Sequence, residues 1–285
     1  MKIITIGRGV FLTLFLLSSF GGSPNQSHWQ TLFNGRDLQG WDTYLGPRAK
    51  TGGSPADSIP LGLNLDPNHV FSVVSENGAP AIRISGENHG GISTRAEFRD
   101  YHFVCEFKWG QKKIPSFKDR KRDSGILYHA VGPHGADFGF WMRSQEFQIQ
   151  EGDCGDYWGV AGGVFDVQAV RNPQGLYVYD PHGPVTTFSA LSSIGRRCIK
   201  NPDAEKPSGE WNKVDLYCKG DTSVHMINGV VNMILYHSRQ SDNGRETPLK
   251  QGKIQIQSEG CEIFYRNIKL ESITKIPDSV LAIQN

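Results

Sequence analysis

The chain has 285 residues, 38% of them hydrophobic, which suits one large all-β domain or two small ones. A formal net charge of +1 and the absence of any long like-charge run argue against a surface built to hold nucleic acid. The 33 glycines, 15 prolines and 11% aromatic residues point to many turns, and so to a sandwich or barrel rather than a helical bundle.

The N-terminus reads as a secretory signal over residues 1–23. Lys2 and Arg8 supply a positive start, Val10 to Leu17 form a short apolar core, and Ser18 to Ser23 offer small residues for cleavage. The apolar run is too short to span a bilayer comfortably, so stable membrane insertion is not expected. Export to the periplasm or the extracellular space would allow disulfides. Of Cys105, Cys154, Cys198, Cys218 and Cys261, the first and fourth fall on apolar faces of predicted strands and read as buried thiols. Cys154 and Cys198 lie in loop-like segments and are the better pair for a bridge.

After Asn34-Gly35, a turn signal flanked by aromatics, residues 46–67 are rich in Gly, Pro, Ser and Asp and predict a long surface loop. Strands follow at Val70–Val74, Ala81–Ser85 and Gly90–Thr94. Tyr101 to Trp109 alternates most clearly, with Tyr101, Phe103, Cys105, Phe107 and Trp109 on one face. Lys112 to Arg122 reads as a charged loop. On the strand from Ser124 to Ala130, Ile126 and Tyr128 point one way, while Asp123, Leu127 and His129 point the other. The next strand sets Phe147 and Ile149 against Glu146, Gln148 and Gln150, with Glu151, Gly152 and Asp153 at its end. A glycine-rich loop containing Tyr157 and Trp158 comes next, and residues 181–208 read as loop-like. Ile227-Asn228-Gly229 predicts a hairpin. A late strand sets Ile254 and Ile256 against Gln255, Gln257 and Glu259, and residues 276–285 are expected to form a tail beyond a single domain spanning 24–275. Short strands separated by turn signals, with almost no helical periodicity, predict an antiparallel sandwich.

Two separated strands thus carry Gln and Glu on the face opposite their apolar residues. In a sandwich the apolar faces meet in the core, and the amide and carboxylate faces line the outside of one sheet. Gln and Glu both accept hydrogen bonds and Gln also donates, which suits sugar hydroxyls. An ordinary solvated sheet face is the alternative, and that would carry Lys, Thr and Ser as readily. Trp158 and Tyr157 are candidates for stacking on sugar rings. Glu146 and Glu259, with Glu151, Asp123 and Asp153 behind them, are candidates for acid/base work; any single carboxylate is more often a simple hydrogen-bonding group. Glu146, Glu151, Asp153 and His134 form a weakly patterned candidate set for a divalent metal ion.

Several segments, in order, resemble a known family. Leu32–Trp41 (LFNGRDLQGW) is similar to its opening signature. Asp123-Ser124-Gly125-Ile126 resembles its NSGI strand, with Asp in place of Asn, and Glu146-Phe147-Gln148-Ile149 resembles its E-x-Q-I strand. Gly209-Glu210-Trp211-Asn212, Ile227-Asn228-Gly229, Ile256–Gly260 and Phe264–Ile268 match its later motifs. The family is the 3-keto-disaccharide hydrolase domain. The resemblance implies a concanavalin A-like jelly-roll sandwich of two antiparallel sheets, one concave and polar. It also implies an exported bacterial enzyme cleaving 3-keto-glycosides, with a carbohydrate substrate supplied by a partner sugar C3-oxidoreductase. The expected roles are Glu146 as base or metal ligand, His129 and Glu259 polarising the ketone or protonating the aglycone, and Gln148, Gln150, Gln255, Gln257 and Asp123 holding hydroxyls. A non-catalytic, lectin-like module with the same groove is the alternative. Laminarinase-type enzymes carry a second acid where this chain has Gln148, so retaining hydrolysis of an ordinary β-glucan is not expected.

Overall fold

A computed structural model describes residues 29–47 and 59–282. The predicted signal segment and the middle of the 46–67 stretch lie outside the described residues.

Two antiparallel sheets stack face to face as a jelly-roll β-sandwich, as the alternating patterns predict. One sheet has at its centre the neighbouring strands Asn212–Lys219, Tyr101–Lys113 and Cys261–Ser272. The other, in order, comprises Arg197–Cys198, Tyr157–Val160, Arg143–Gln150, Asp123–Val131, Lys253–Ser258, Gly90–Thr94, Trp41–Pro47 and Pro60–Leu63. This second sheet carries the candidate site.

The period of two explains the layering. Tyr157, Phe147, Ile126, Ile256 and Ile92 are successive cross-strand partners in the second sheet, and all are fully buried. Across the sandwich, Tyr101, Phe103, Cys105, Phe107 and Trp109 present the facing surface of the long strand to the same core. Each large aliphatic buried there contributes about 1.5–3 kcal/mol, and truncating Ile256 to alanine should cost roughly 2–5 kcal/mol because close-packed neighbours relax only partly. The opposite face of the first sheet is polar and paired: Lys108 with Glu76, and Arg266 with Glu106 at 2.6 Å, the Arg266 guanidinium lying 3.8 Å from the centroid of the Trp211 ring. The predicted hairpin at Asn228-Gly229 has positive φ at both residues (52° and 83°), the requirement that selects Asn-Gly there.

The structure corrects four expectations. Part of the stretch taken as a loop is ordered: Trp41–Pro47 and Pro60–Leu63 pair in register, Leu45 opposite Gly62. Short strands at Val185–Phe188 and Arg197–Cys198 interrupt the 181–208 segment. The expected tail belongs to the domain, because Ile276 and Val280 pack into the main core and Asp278–Leu281 forms a helical turn. All five cysteines are buried free thiols, Cys154 and Cys198 included. Cys154 points inward and its thiol donates to the Gln150 carbonyl at 3.3 Å, while Cys198 is buried beside Tyr157 in the ladder. Among the described residues no helix is long and apolar enough to cross a membrane.

Candidate active site

The outward face of the second sheet is ordered by the same register. Trp158, Glu146, Leu127 and Gln255 are successive partners in one row. In the next row Gln148 lies opposite Gly125. In the third, Gln150 lies opposite Asp123, which in turn bridges to Glu259. Strand geometry separates neighbouring rows by about 6–7 Å.

Gly125 is the pivot. A Cβ built there would come within 2.3 Å of Glu146 Oε1 and 2.5 Å of Gln257 Oε1. Only a residue without a side chain lets those two groups lean together over the sheet. The result is a cleft of about 400 Å³ floored by Asp123, Glu146, Gln148, Gln150, Gln257 and Glu259. That size suits a small molecule.

The loop between Val131 and Arg143 folds back over part of this face. Trp141 packs on Leu127 and Val160, and its indole N–H donates to the Gly90 carbonyl at 3.1 Å. Phe138, Phe140, Trp141 and His89 form one wall of the cleft, and Trp158 and Arg196 belong to its lining as well. Arg196 is held by Asp137 at 3.2 Å and lies 5.5 Å and 5.6 Å from the ring centroids of Phe138 and Trp158. Arg197 lies 5.4 Å from the Trp158 ring centroid and is anchored on the buried Asp156 at 2.6 Å.

Electrostatically, the floor favours retained protons. Burial pushes Asp123 up to about 7, against the lowering effect of the hydrogen bond from Gln150 Nε2. Burial raises Glu146 well above the usual carboxylate range, and the Asp123 charge adds to this while Arg196 opposes it. Glu259 is raised in the same way by burial, with Asp123 and Glu146 adding. Three carboxyls that repel one another in a poorly hydrated cleft cannot all ionise together near neutral pH, so proton donors and an acceptor coexist. Gln257 Oε1 is buried with no hydrogen-bond partner, a free acceptor beside Glu146.

Seven of the predicted site residues therefore converge: Glu146, Glu259, Asp123, Gln148, Gln150, Gln257 and Trp158. The other six are placed elsewhere. The ladder is irregular between Tyr128 and Val131, and His129 takes a positive φ of 51°, so its ring turns off the cleft face. It is 1% exposed, packed against Tyr101 and Tyr128, and lowered by burial to about 4. Tyr157 faces the core, where its hydroxyl donates to Gln145 Oε1 at 2.8 Å. Gln255 is covered by the loop, accepting from the Met142 amide at 3.0 Å. His134 stacks on Tyr44 with ring centroids 5.2 Å apart.

The suggested metal set does not converge either. Glu151 pairs with Arg122 at 2.9 Å, and Asp153 pairs with Lys121 at 2.7 Å and Arg197 at 3.3 Å. Among the described residues no group of three or more His, Cys, Asp or Glu side chains is arranged to hold a metal ion. Sequence reading also passed over Asp137, Phe138, Phe140, Arg196 and His89. All five lie outside the strands whose alternation flags the floor, so no periodic signal marks them.

Fold and cleft together define a jelly-roll β-sandwich with an acidic, amide-lined site of a kind that suits carbohydrate. The chain belongs to the family described as the 3-keto-alpha-glucoside-1,2-lyase-like domain, whose model matches residues 28–271. No curated protein matches the chain. Among solved structures, two proteins of Parabacteroides distasonis provisionally described as glycosyl hydrolases are similar. One is 16% identical, covering 86% of this chain and 94% of its own at a TM-score of 0.48. The other is 17% identical, covering 86% and 99% at the same TM-score. The carbohydrate binding module CBM66 from Bacillus subtilis is 8% identical, covering 71% of this chain and 92% of its own, with a TM-score of 0.40.

Proposed function

We propose that the protein is an exported enzyme that cleaves 3-keto-glycosides by elimination across C1 and C2, followed by hydration. One observation carries the reading: three mutually repelling carboxyls, the buried Glu146 and the half-buried Asp123 and Glu259, share one small cleft with amides suited to sugar hydroxyls. Family membership supports the substrate class, and the N-terminal pattern of Lys2, Arg8 and an apolar run supports export.

A ketone at C3 acidifies the proton on C2. Asp123, whose carboxyl titrates near neutrality, accepts that proton. The C2–H electron pair becomes the C1–C2 double bond as the C1–O bond breaks, and Glu146, which holds its proton, donates it to the departing oxygen. Glu259, also protonated, hydrogen-bonds the ketone oxygen as negative charge develops there. Water then adds its oxygen to C1 and a proton to C2, and the net change is hydrolysis. Gln148, Gln150 and Gln257 orient the ring hydroxyls. The 3-keto substrate would come from an oxidoreductase acting on C3 of the parent glycoside.

The test is release of aglycone from 3-keto-glucosides, with the unoxidised glucosides as controls. Release only from the oxidised series is expected. Binding without release from a folded sample, with or without added divalent metal ions, would leave a lectin-like module as the correct reading.

A further inference from the structure

The cleft is chemically two-sided, and the sheet register says which side is which. Gln150, Asp123 and Glu259 occupy one end row, with Gln148 and Gln257 beside them. Glu146 belongs to the opposite row, next to Trp158 on one side and Leu127 on the other, and Leu127 clusters with Trp141 and Val160, against which Phe140 packs. If the leaving oxygen takes its proton from Glu146, the sugar lies over the amides and Asp123, and the aglycone extends toward the aromatic wall.

That wall has features a merely structural cluster would not need. Phe138 is 71% exposed at the cleft, a large apolar side chain left in water. Its φ of 51° places a bulky residue in the left-handed region that such residues rarely adopt. Arg196 is pinned by Asp137 and by the Gly159 carbonyl at 3.4 Å, and it separates Phe138 from Trp158 as a spacer. Its planar guanidinium itself offers a stacking face. The Trp158 indole N–H is buried without a hydrogen-bond partner, a donor left over at the same wall.

We infer that Phe138, Phe140, Trp158 and Arg196 form an aglycone subsite for a flat aromatic ring, so that the substrates are oxidised glucosides of phenol-type or other aryl aglycones. The assignment rests on the proposed reaction for its orientation only. A sugar aglycone would need hydroxyl partners along this wall, and the wall offers rings and one paired guanidinium, the Trp158 indole N–H being buried. A ring seated here gains stacking from Phe138.

Binding of unoxidised glucosides, which lack the acidic C2 proton and are not turned over, tests the subsite apart from the chemistry. Phenyl and methyl glucosides of both anomers would be titrated calorimetrically against the full chain and its Phe138→Ala variant. Phenyl is expected to bind about tenfold more tightly than methyl for the accepted anomer, the scale of one good aromatic contact. Phe138→Ala should erase most of that ratio while leaving methyl glucoside affinity unchanged. Because Phe138 is exposed, the variant should keep the wild-type melting temperature. Equal affinities for the two glucosides, an equal loss for both in the variant, or no binding of either at millimolar concentration would overturn the subsite. A phenyl preference in a protein that releases nothing from 3-keto-glucosides would leave the subsite standing and refute the reaction instead.

Discussion

Replacing Asp123 with asparagine should stabilise the protein at neutral pH while removing its activity. Asp123 is held above its ordinary value by burial, from 3.8 to about 7. The sign follows from proton linkage. In the unfolded chain the group ionises near 3.8, whereas in the folded protein it resists until about 7, so folding loses stability as pH rises through that window. Well below 3.8 the carboxyl is neutral in both states and costs nothing; well above 7 the full penalty applies. Each pKa unit corresponds to about 1.4 kcal/mol, giving roughly 4 kcal/mol for a fully secluded group. Asp123 is only half-buried, and solvent screening should reduce that to about 2 kcal/mol. Asparagine keeps the shape and can still accept from Gln150 Nε2. It also removes a charge that repels Glu146 and Glu259. For a domain of this size about 2 kcal/mol is roughly 4–8 °C in melting temperature. The measurement is thermal unfolding of both proteins from pH 4 to pH 8.5, with turnover of a 3-keto-glucoside alongside. The two melting curves should lie closest near pH 4 and separate progressively up to pH 7.5. A gap that does not change with pH, or a variant less stable than wild type at pH 8, would show that Asp123 carries no burial penalty.

Glu146→Gln should cut turnover of 3-keto-glucosides with alkyl leaving groups by about 10²–10⁴, the usual worth of a general acid. Nitrophenyl substrates should lose far less, since their oxygen departs without a proton; equal losses across a series of leaving groups would point to a different role. Gly125→Ala should leave the melting temperature within a few degrees but lower kcat at least tenfold, because the methyl displaces the flexible ends of Glu146 and Gln257. Normal kinetics in that variant would mean the two groups need not converge. His129→Asn tolerates the positive φ and should lower stability by about 1–3 kcal/mol through lost packing. Its kcat per folded molecule should be unchanged, and a thousandfold loss would return His129 to the site. In wild type, kcat/KM should rise as pH passes through about 7, where Asp123 becomes ionised, and a profile flat from pH 5 to 8 would contradict its role as base.

The floor of the cleft was readable because it is made of strands. Glu146, Gln148 and Gln150, like Gln257, alternate with Phe147, Ile149 and Ile256, and a period of two assigns faces without knowledge of the rest of the chain. The same rule mis-faced His129, since the irregular ladder after Tyr128 resets the alternation and no local residue announces it. Tyr157 and Trp158 are neighbours on one short strand, so only one of them could face the cleft; treating their segment as a loop hid that. Gln255 satisfies the alternation and still misses the site, because a loop closed by Trp141 covers it. That covering is a tertiary event. Arg196, Asp137 and Phe138 reach the cleft for the same reason, from segments whose only sequence signal is glycine and polarity.

Elimination at C2 is read most directly from the isotopic content of the product. Cleavage of a 3-keto-glucoside in D₂O, followed by mass spectrometry and proton NMR of the released 3-keto-glucose, reports whether the C2–H bond was broken. One deuterium at C2 is expected in every product molecule from early turnover, with release slowed severalfold when the substrate itself carries deuterium at C2. Product that retains its original C2 proton while aglycone is released would contradict elimination and would identify direct displacement at C1.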